Sequence, residues 1–71
     1  MQTIQPGKYR HYKGNYYEVT GFATHSETLE KMVIYKALYQ EDGNNVWVRP
    51  LAMFAEKVNV EGNWLYRFQK V

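Results

Sequence analysis

The sequence predicts an all-β fold, a small barrel or roll of five to six short antiparallel strands. Runs rich in aromatic and β-branched residues alternate with Gly, Asn and Pro turn signals. In the run 31–39 apolar residues fall on both faces, which is typical of a strand covered twice when a small sheet curls onto itself. Because all these runs fit within 71 residues, they favour one barrel or roll.

The first two strands form a hairpin. Residues 8–13 alternate cations with rings, Gly14-Asn15 reverses the chain, and residues 16–24 return. Gly21 weakens a strand interior, so we expect a bulge or sharp bend there. Residues 1–6 are polar and precede a turn, and we expect a flexible lead-in.

The segment from Thr24 to Glu30 breaks the strand pattern. Thr24 and Glu27 have the spacing of a capping box, which allows one helical turn, and an ordered loop is equally compatible. Residues 31–39 and 45–49 then predict a second hairpin, because Asp42-Gly43 supplies the positive φ of a tight reversal.

The last third of the chain contains a short helical turn and two extended runs. Pro50 is suited to open the turn 50–54, since proline has no N–H to lose at a helix start. Residues 56–60 are extended, 61–63 form a turn, and 64–71 form one last strand. The predicted core consists of Val19, Ile34, Leu38, Val46, Val48 and Phe54.

Composition limits the chemistry. Aromatic residues make up 17% of the chain, which suits a thin core. The absence of cysteine excludes disulfides, thiolate chemistry and cysteine-based zinc sites. No apolar run approaches the roughly 18 residues of a membrane span, so we expect a soluble cytoplasmic protein without membrane contact. So small a core also allows self-association as a homodimer.

Three groups of residues, taken in chain order, resemble a known family. They are Pro6-Gly7-x-Tyr9-Arg10-His11-Tyr12-Lys13-Gly14, His25-Ser26-Glu27-Thr28 and Trp47-Val48-Arg49-Pro50-Leu51. Together they are similar to the small bacterial domains known as DUF1653, over about residues 6–68. The resemblance implies a single SH3-like β-barrel domain spanning residues 1–71, in a bacterial cytoplasm. It implies no activity, and Tyr66 stands where family members tend to have proline.

Catalysis and metal binding find little support in the residue pattern. His25 and Ser26 lie side by side, but no Gly-x-Ser-x-Gly elbow accompanies them, and a small enzyme using His25 and Glu27 is the third choice. We therefore expect no enzyme, no cofactor and no metal. The side chains that could bind a metal do not have the sequence spacing of a known metal-binding motif such as H-E-x-x-H. These side chains are His11, His25, Glu27 and Glu30.

Binding is the function that the pattern favours. On SH3-like barrels an aromatic-lined groove beside a short 3₁₀ turn often accepts an extended peptide. Trp47 and the turn 50–54 could form such a groove here, so a protein or peptide partner is the first choice. The alternative is single-stranded nucleic acid, because the run 8–13 interleaves cations with rings. The net charge of only +2 weakens that alternative. The ligand-binding candidates, which we expect to converge on one side of the barrel with Trp47 and Arg49 facing outward, are Arg10, Tyr12, His25, Glu27, Trp47, Arg49 and Arg67.

Overall fold

The computed structural model describes residues 2–40 and 43–71, which contain seven strands and one short helix. In chain order these are β1 (Gly7–His11), β2 (Tyr16–Thr24), β3 (Lys31–Ala37), β4 (Val46–Pro50), α1 (Leu51–Phe54), β5 (Lys57–Val60), β6 (Asn63–Tyr66) and β7 (Phe68–Lys70). All paired strands are antiparallel. The prediction of an all-β fold is confirmed.

The strands form two sheets that do not close into a barrel. One sheet has the order β4-β3-β2-β1-β7, and the other pairs β5 with β6. The predicted last strand, residues 64–71, is divided at Arg67, where the chain bends. Its first part joins β5 and its second part joins β1, which is why there are seven strands rather than five or six.

The predicted bulge in β2 is confirmed. The register of β2 against β3 shifts between Val19 and Gly21. Val19 lies opposite Tyr35 and Phe22 lies opposite Val33, so an odd-numbered and an even-numbered residue of β2 share one face. The bulge therefore changes which β2 residues point toward the core.

The segment between β2 and β3 is an ordered loop that contains one α-type turn, in which the N–H of Leu29 donates to the carbonyl of His25 at 2.9 Å. The Nδ1 atom of His25 accepts the backbone N–H groups of Glu27 and Thr28 at 3.2 and 3.3 Å. The backbone N–H of His25 donates to Glu30 at 2.8 Å, and Leu29 turns through a positive φ of 61°. The histidine thus takes the capping role that the sequence assigns to Thr24.

The second hairpin forms as predicted, although Glu41 and Asp42 of its turn lie outside the described residues. Gly43 has the positive φ, 84°, that the turn prediction requires. At the other end of β4, Pro50 precedes α1, which confirms the predicted helical turn.

The core lies between one face of the five-stranded sheet, here called the inner face, and α1. Its centre is aromatic: the rings of Phe54 and Phe68 stack in parallel with centroids 4.0 Å apart, and Tyr9 meets Phe54 edge-on at 5.7 Å. Its buried members are Ile4, Tyr9, Val19, Val33, Tyr35, Phe54, Ala55 and Phe68.

The lead-in that the sequence predicts to be flexible packs onto this core. Ile4 is buried, and the backbone of Gln5 is hydrogen-bonded to the Tyr9 hydroxyl at 3.0 Å through both its N–H and its carbonyl. Gln2 donates to the carbonyl of Phe68 at the start of β7. Residues 2–6 therefore belong to the packed domain.

Part of the predicted core is wrong. Val19 and Phe54 are buried, but Val46 and Val48 are 61% and 60% exposed, Leu38 is exposed and Ile34 is half-buried. The reason is the register of β4, which places Trp47 opposite Tyr35 and Arg49 opposite Val33. Since opposite residues share a face, Val46 and Val48 point to the outer face. No helix among the described residues is long and apolar enough to cross a membrane.

Candidate functional site

Five side chains line a hollow at one end of the inner face. Its volume is about 190 Å³, and we call it the tyrosine–arginine hollow after its lining residues Tyr17, Tyr35, Tyr39, Trp47 and Arg49. Three adjacent strands supply them: Tyr17 from β2, Tyr35 from β3, and Trp47 and Arg49 from β4, while Tyr39 follows the end of β3.

The strand register explains why these residues meet. Tyr35 lies directly opposite Trp47, and Tyr17 lies opposite Ala37. Directly opposite residues on antiparallel strands share a face, so these side chains all project from the inner face. The hollow therefore follows from the pairing of the three strands and not from any contiguous sequence motif.

Arg49 is held by two contacts. Its Nε donates to the Tyr35 hydroxyl at 3.3 Å, and its guanidinium carbon lies 5.7 Å from the centre of the Phe68 ring. The side chain is half-buried. A guanidinium fixed over an aromatic face is pre-organised to bind a ligand with its remaining N–H groups.

The tyrosines form a connected wall. The rings of Tyr35 and Tyr39 each meet Tyr17 edge-on at 5.6 Å, and Phe68 meets it at 5.4 Å. The hydroxyls of Tyr17 and Tyr39 are 3.1 Å apart and share one hydrogen bond. Burial and this hydrogen bond raise the pKa of Tyr17, so its hydroxyl keeps its proton.

Trp47 forms the outer rim of the hollow. Its side chain is 47% exposed, and its indole N–H donates to Gln40 Oε1 at 3.2 Å. The hydrogen bond fixes one edge of the ring, while the rest stays accessible to a ligand. Tryptophan, with tyrosine and arginine, is enriched among the residues that dominate binding energy at interfaces.

His11 lies behind the hollow, with its ring 4.9 Å from Phe68 and 6.2 Å from Tyr17. Burial lowers the pKa of His11, and the guanidinium groups of Arg67 and Arg49 lower it further. The histidine is therefore neutral at pH 7, and the positive charge around it belongs to the arginines.

The hollow adjoins an open sheet edge. Ala37 donates to the carbonyl of Asn45 at 2.8 Å, which makes this opposite pair a hydrogen-bonded one. Hydrogen-bonded pairs recur at every second residue of an antiparallel ladder, so the next hydrogen-bonded pair is Trp47 with Tyr35. The peptide groups of Val46 and Val48 therefore point away from β3, and β4 ends the sheet.

The structure brings together only some of the predicted ligand-binding residues. Trp47 and Arg49 both line the hollow, although the prediction that they face away from the core is wrong, because they share the inner face with Tyr35 and Val33. Half of Trp47 stays exposed because β4 is an edge strand. Their role in binding stays a prediction.

The prediction that the other candidates converge with them is wrong for Arg10, His25 and Glu27. Arg10 is next to buried Tyr9 on β1 and so lies on the outer face. His25 and Glu27 follow β2 at its far end: Lys31, where β3 begins, is six residues from Ala37, about 20 Å at the rise of a strand. None of these three residues lines the hollow.

Arg67 and Tyr12 lie near His11, behind the tyrosine–arginine hollow, and neither of them lines it. Arg67 pairs with Glu56 at 2.6 Å. The ring of Tyr12 is 4.6 Å from that of His11.

Sequence reasoning missed the three tyrosines of the hollow. Tyr35 and Tyr39 share one face of the third predicted strand, which was a usable signal, but only the register of β2 shows that Tyr17 joins them. Among the described residues, no group of three or more His, Cys, Asp or Glu could hold a metal ion.

Comparisons with known proteins identify relatives of this fold. The family described as "Protein of unknown function (DUF1653)" matches residues 7–70. A crystal structure of a DUF1653 protein from Bordetella bronchiseptica is similar with a TM-score of 0.87 and 39% identity, covering 100% of this chain and 91% of that one. No match was found among curated proteins.

Proposed function

The chain belongs to the DUF1653 family, whose function is unknown, and we propose that it is a non-catalytic module that binds an extended peptide segment of a protein partner. The peptide adds to β4 as a further strand and places alternate side chains in the tyrosine–arginine hollow. Strand addition of this kind takes affinity from main-chain hydrogen bonds and specificity from side-chain pockets.

The observation that carries the proposal is the open edge of β4 beside the hollow. Val46 and Val48 present outward peptide groups and exposed apolar side chains, and Trp47 between them is half-exposed. Proteins usually protect such edges with lysine, proline or a covering loop. Here Pro50 protects only the end of the strand, so residues 46–49 remain available for pairing.

The geometry of an added strand supports the use of the hollow. A peptide residue opposite Trp47 or Arg49 would form a non-hydrogen-bonded pair with it, with Cα atoms about 4.5 Å apart. Side chains in such pairs approach most closely and share a face, which here is the inner face. The peptide side chains would therefore lie against the indole and the guanidinium.

A non-catalytic role is supported by the state of the histidine that an enzyme would use. His25 Nδ1 already accepts two backbone N–H groups of its own loop. The tyrosine–arginine hollow itself is smaller than the roughly 300–1,000 Å³ usual for small-molecule sites, so it suits a single peptide side chain better than a small-molecule substrate.

The test is selection of random decapeptides by the purified domain, using the wild type, Trp47→Ala and the matched control Trp64→Ala. Trp64 is 66% exposed but lies on β6, away from the hollow. We expect peptides that bind the wild type and Trp64→Ala equally and Trp47→Ala at least tenfold more weakly. Selected peptides that bind Trp47→Ala as well as the wild type would contradict the proposal.

Single-stranded nucleic acid is the second candidate. A hollow of about 270 Å³ between β1, β6 and β7 is lined in part by Arg10, Tyr12, Tyr16 and Lys70, a mixture of rings and cations. Against it, Lys8 lies 4.6 Å above the Tyr16 ring, where a base would stack.

A salt titration with a 15-nucleotide oligothymidylate separates the two candidates. Nucleic-acid binding predicts a log–log slope of about −0.7 for each phosphate neutralised. Replacing Arg10 and Lys13 with glutamine should then flatten the slope. No affinity at low ionic strength would exclude this candidate.

We also propose that the protein is bacterial and cytoplasmic, with an SH3-like arrangement of strands. The Bordetella relative supports the bacterial setting. A homodimer formed through the same β4 edge would compete with peptide. Sedimentation at increasing concentration, with and without a selected peptide, measures that competition.

A further inference from the structure

We propose that the tyrosine–arginine hollow selects a carboxylate, so that the peptides bound along β4 carry an aspartate or glutamate opposite Arg49. This inference rests on the proposed function and names the ligand chemistry of the same site. It follows from the hydrogen-bond donors that the hollow presents and from the charge that stays unpaired there.

Arg49 has hydrogen-bond donors that a ligand can use. A guanidinium has five N–H groups, and the Nε–H is the one that donates to Tyr35. Within residues 2–40 and 43–71, the Nη groups of Arg49 have no hydrogen-bond partner. Two parallel N–H groups of this kind match the two oxygens of a carboxylate.

Arg49 also brings a positive charge to the hollow. In the described parts of the chain, the ion pair formed by an arginine is that of Arg67 with Glu56, so the positive charge of Arg49 has no described carboxylate beside it. Arg49 is half-buried and therefore partly removed from water. A partly desolvated cation is stabilised by an anion more strongly than an exposed one, because the local dielectric constant is lower.

The paired hydroxyls of Tyr17 and Tyr39 offer a further donor. When one of the Tyr17 and Tyr39 hydroxyls donates to the other, the second keeps a hydrogen for an outside acceptor. The pKa of Tyr17 is raised by burial and by that hydrogen bond. Its hydroxyl is therefore uncharged near neutral pH and does not repel an anion. The polar groups of the hollow thus offer donors, which an anionic acceptor satisfies.

The size of the hollow favours one side chain as the source. A volume of about 190 Å³ suits an aspartate or glutamate entering from a strand at the β4 edge. A peptide C-terminal carboxylate or a phosphate has related acceptor chemistry, and both are separate arms of the test.

The experiment uses three immobilised decapeptide libraries. The acidic library includes aspartate and glutamate among the residues allowed at every position, the amide library has asparagine and glutamine in their place, and both have amidated C-termini. The third library has the composition of the amide library but free C-termini. The proteins are the wild type, Arg49→Gln and the matched control Arg10→Gln, whose guanidinium lies on the outer face. Phosphotyrosine peptides form the last arm.

We expect the wild type and Arg10→Gln to bind the acidic library at least tenfold better than the amide library, and Arg49→Gln to lose this preference. Equal binding to both amidated libraries would overturn the inference and leave the proposed function standing. A preference for free C-termini or for phosphotyrosine over acidic side chains would overturn it as well. Binding to none of the libraries would overturn both the inference and the proposed function.

Discussion

Arg67 links three parts of the chain. Its carbonyl accepts the N–H of Tyr12, its N–H donates to the carbonyl of Glu56, each at 3.0 Å, and its Nη2 meets the carboxylate of Glu56 at 2.6 Å. These bonds connect the end of β1, the start of β5 and the bend between β6 and β7. At the scale of the residue, the backbone of Arg67 therefore connects β1 to the start of β5, and its Nη2 is paired with Glu56.

Replacing Arg67 with glutamine should lower the free energy of unfolding by about 1 kcal/mol, since the pair is partly exposed and solvent screens it. Urea denaturation measures this change, with Arg10→Gln as a control expected to shift stability by less than about 0.5 kcal/mol. Affinity for selected peptides should not change. A tenfold loss of affinity in Arg67→Gln would place this residue in the binding site after all.

His11 makes folding sensitive to acid. Its pKa in the folded protein is lowered from 6.5, chiefly by burial and then by Arg67 and Arg49. The unfolded chain therefore binds the proton more readily, and stability falls as the pH drops below about 6.5. Well above pH 7 both states are neutral at this residue, and its contribution no longer depends on pH.

The variant His11→Gln should remove this dependence. We expect the difference in melting temperature between wild type and variant to change between pH 7.5 and pH 5, with the wild type losing more stability in acid. Comparing the two proteins at each pH cancels the titration of the carboxylates that they share. A difference that stays constant across this range would show that the environment of His11 is not as described.

At the scale of the element, β4 presents its two sides differently. The inner side contributes Trp47 and Arg49 to the hollow, and the outer side contributes Val46 and Val48 to an apolar surface. The peptide groups of the two valines point to the open edge. Pro50, two residues beyond Val48, fits the same alternation because the N–H that it lacks would also have pointed outward.

The substitution Val48→Pro should abolish peptide binding, because it removes an outward N–H without breaking the ladder to β3. We expect at least a tenfold loss of affinity by fluorescence polarisation with a selected peptide. Val48→Ala keeps the N–H and should bind within about twofold of the wild type. The far-ultraviolet circular dichroism of both variants should match the wild type. Unchanged affinity in a folded Val48→Pro protein would contradict strand addition at this edge.

At the scale of the whole molecule, stability depends on one small aromatic core. The chain contains no disulfide, and the rings of Phe54, Phe68, Tyr9 and Tyr35 form its centre. A domain of this size typically has a stability of about 3–5 kcal/mol. The hollow is built on the same rings, so the binding site and the core are parts of one packed unit.

Truncating Phe54 to alanine should cost about 3–5 kcal/mol and leave the domain largely unfolded. Val46→Ala also truncates an apolar side chain, but an exposed one, and should cost less than about 1 kcal/mol. Thermal unfolding followed by tryptophan fluorescence measures both. If Val46→Ala were the more damaging change, the inner and outer faces of the sheet would be assigned the wrong way round.

The local features of the fold were predictable because the chemistry that determines them is local. The reversal of the first hairpin, which spans residues 12–15 rather than Gly14-Asn15 alone, the bulge at Gly21 and the helical turn after Pro50 each depend on the φ preference or hydrogen-bonding limits of a few residues. These residues impose their geometry whatever packs against them. The all-β class then follows from the number and length of the runs between them.

The candidate site was only partly predictable, because the decisive quantity is which face of β4 is covered. Alternation requires that Trp47 and Arg49 face away from Val46 and Val48, but hydrophobicity favours the valines as the inner pair. The structure selects the other assignment, since pairing with β3 places Tyr35 and Val33 beside Trp47 and Arg49 over Phe68. Strand pairing and ring packing between residues distant in sequence are set only when the whole chain folds, and they alone brought Tyr17 into the hollow.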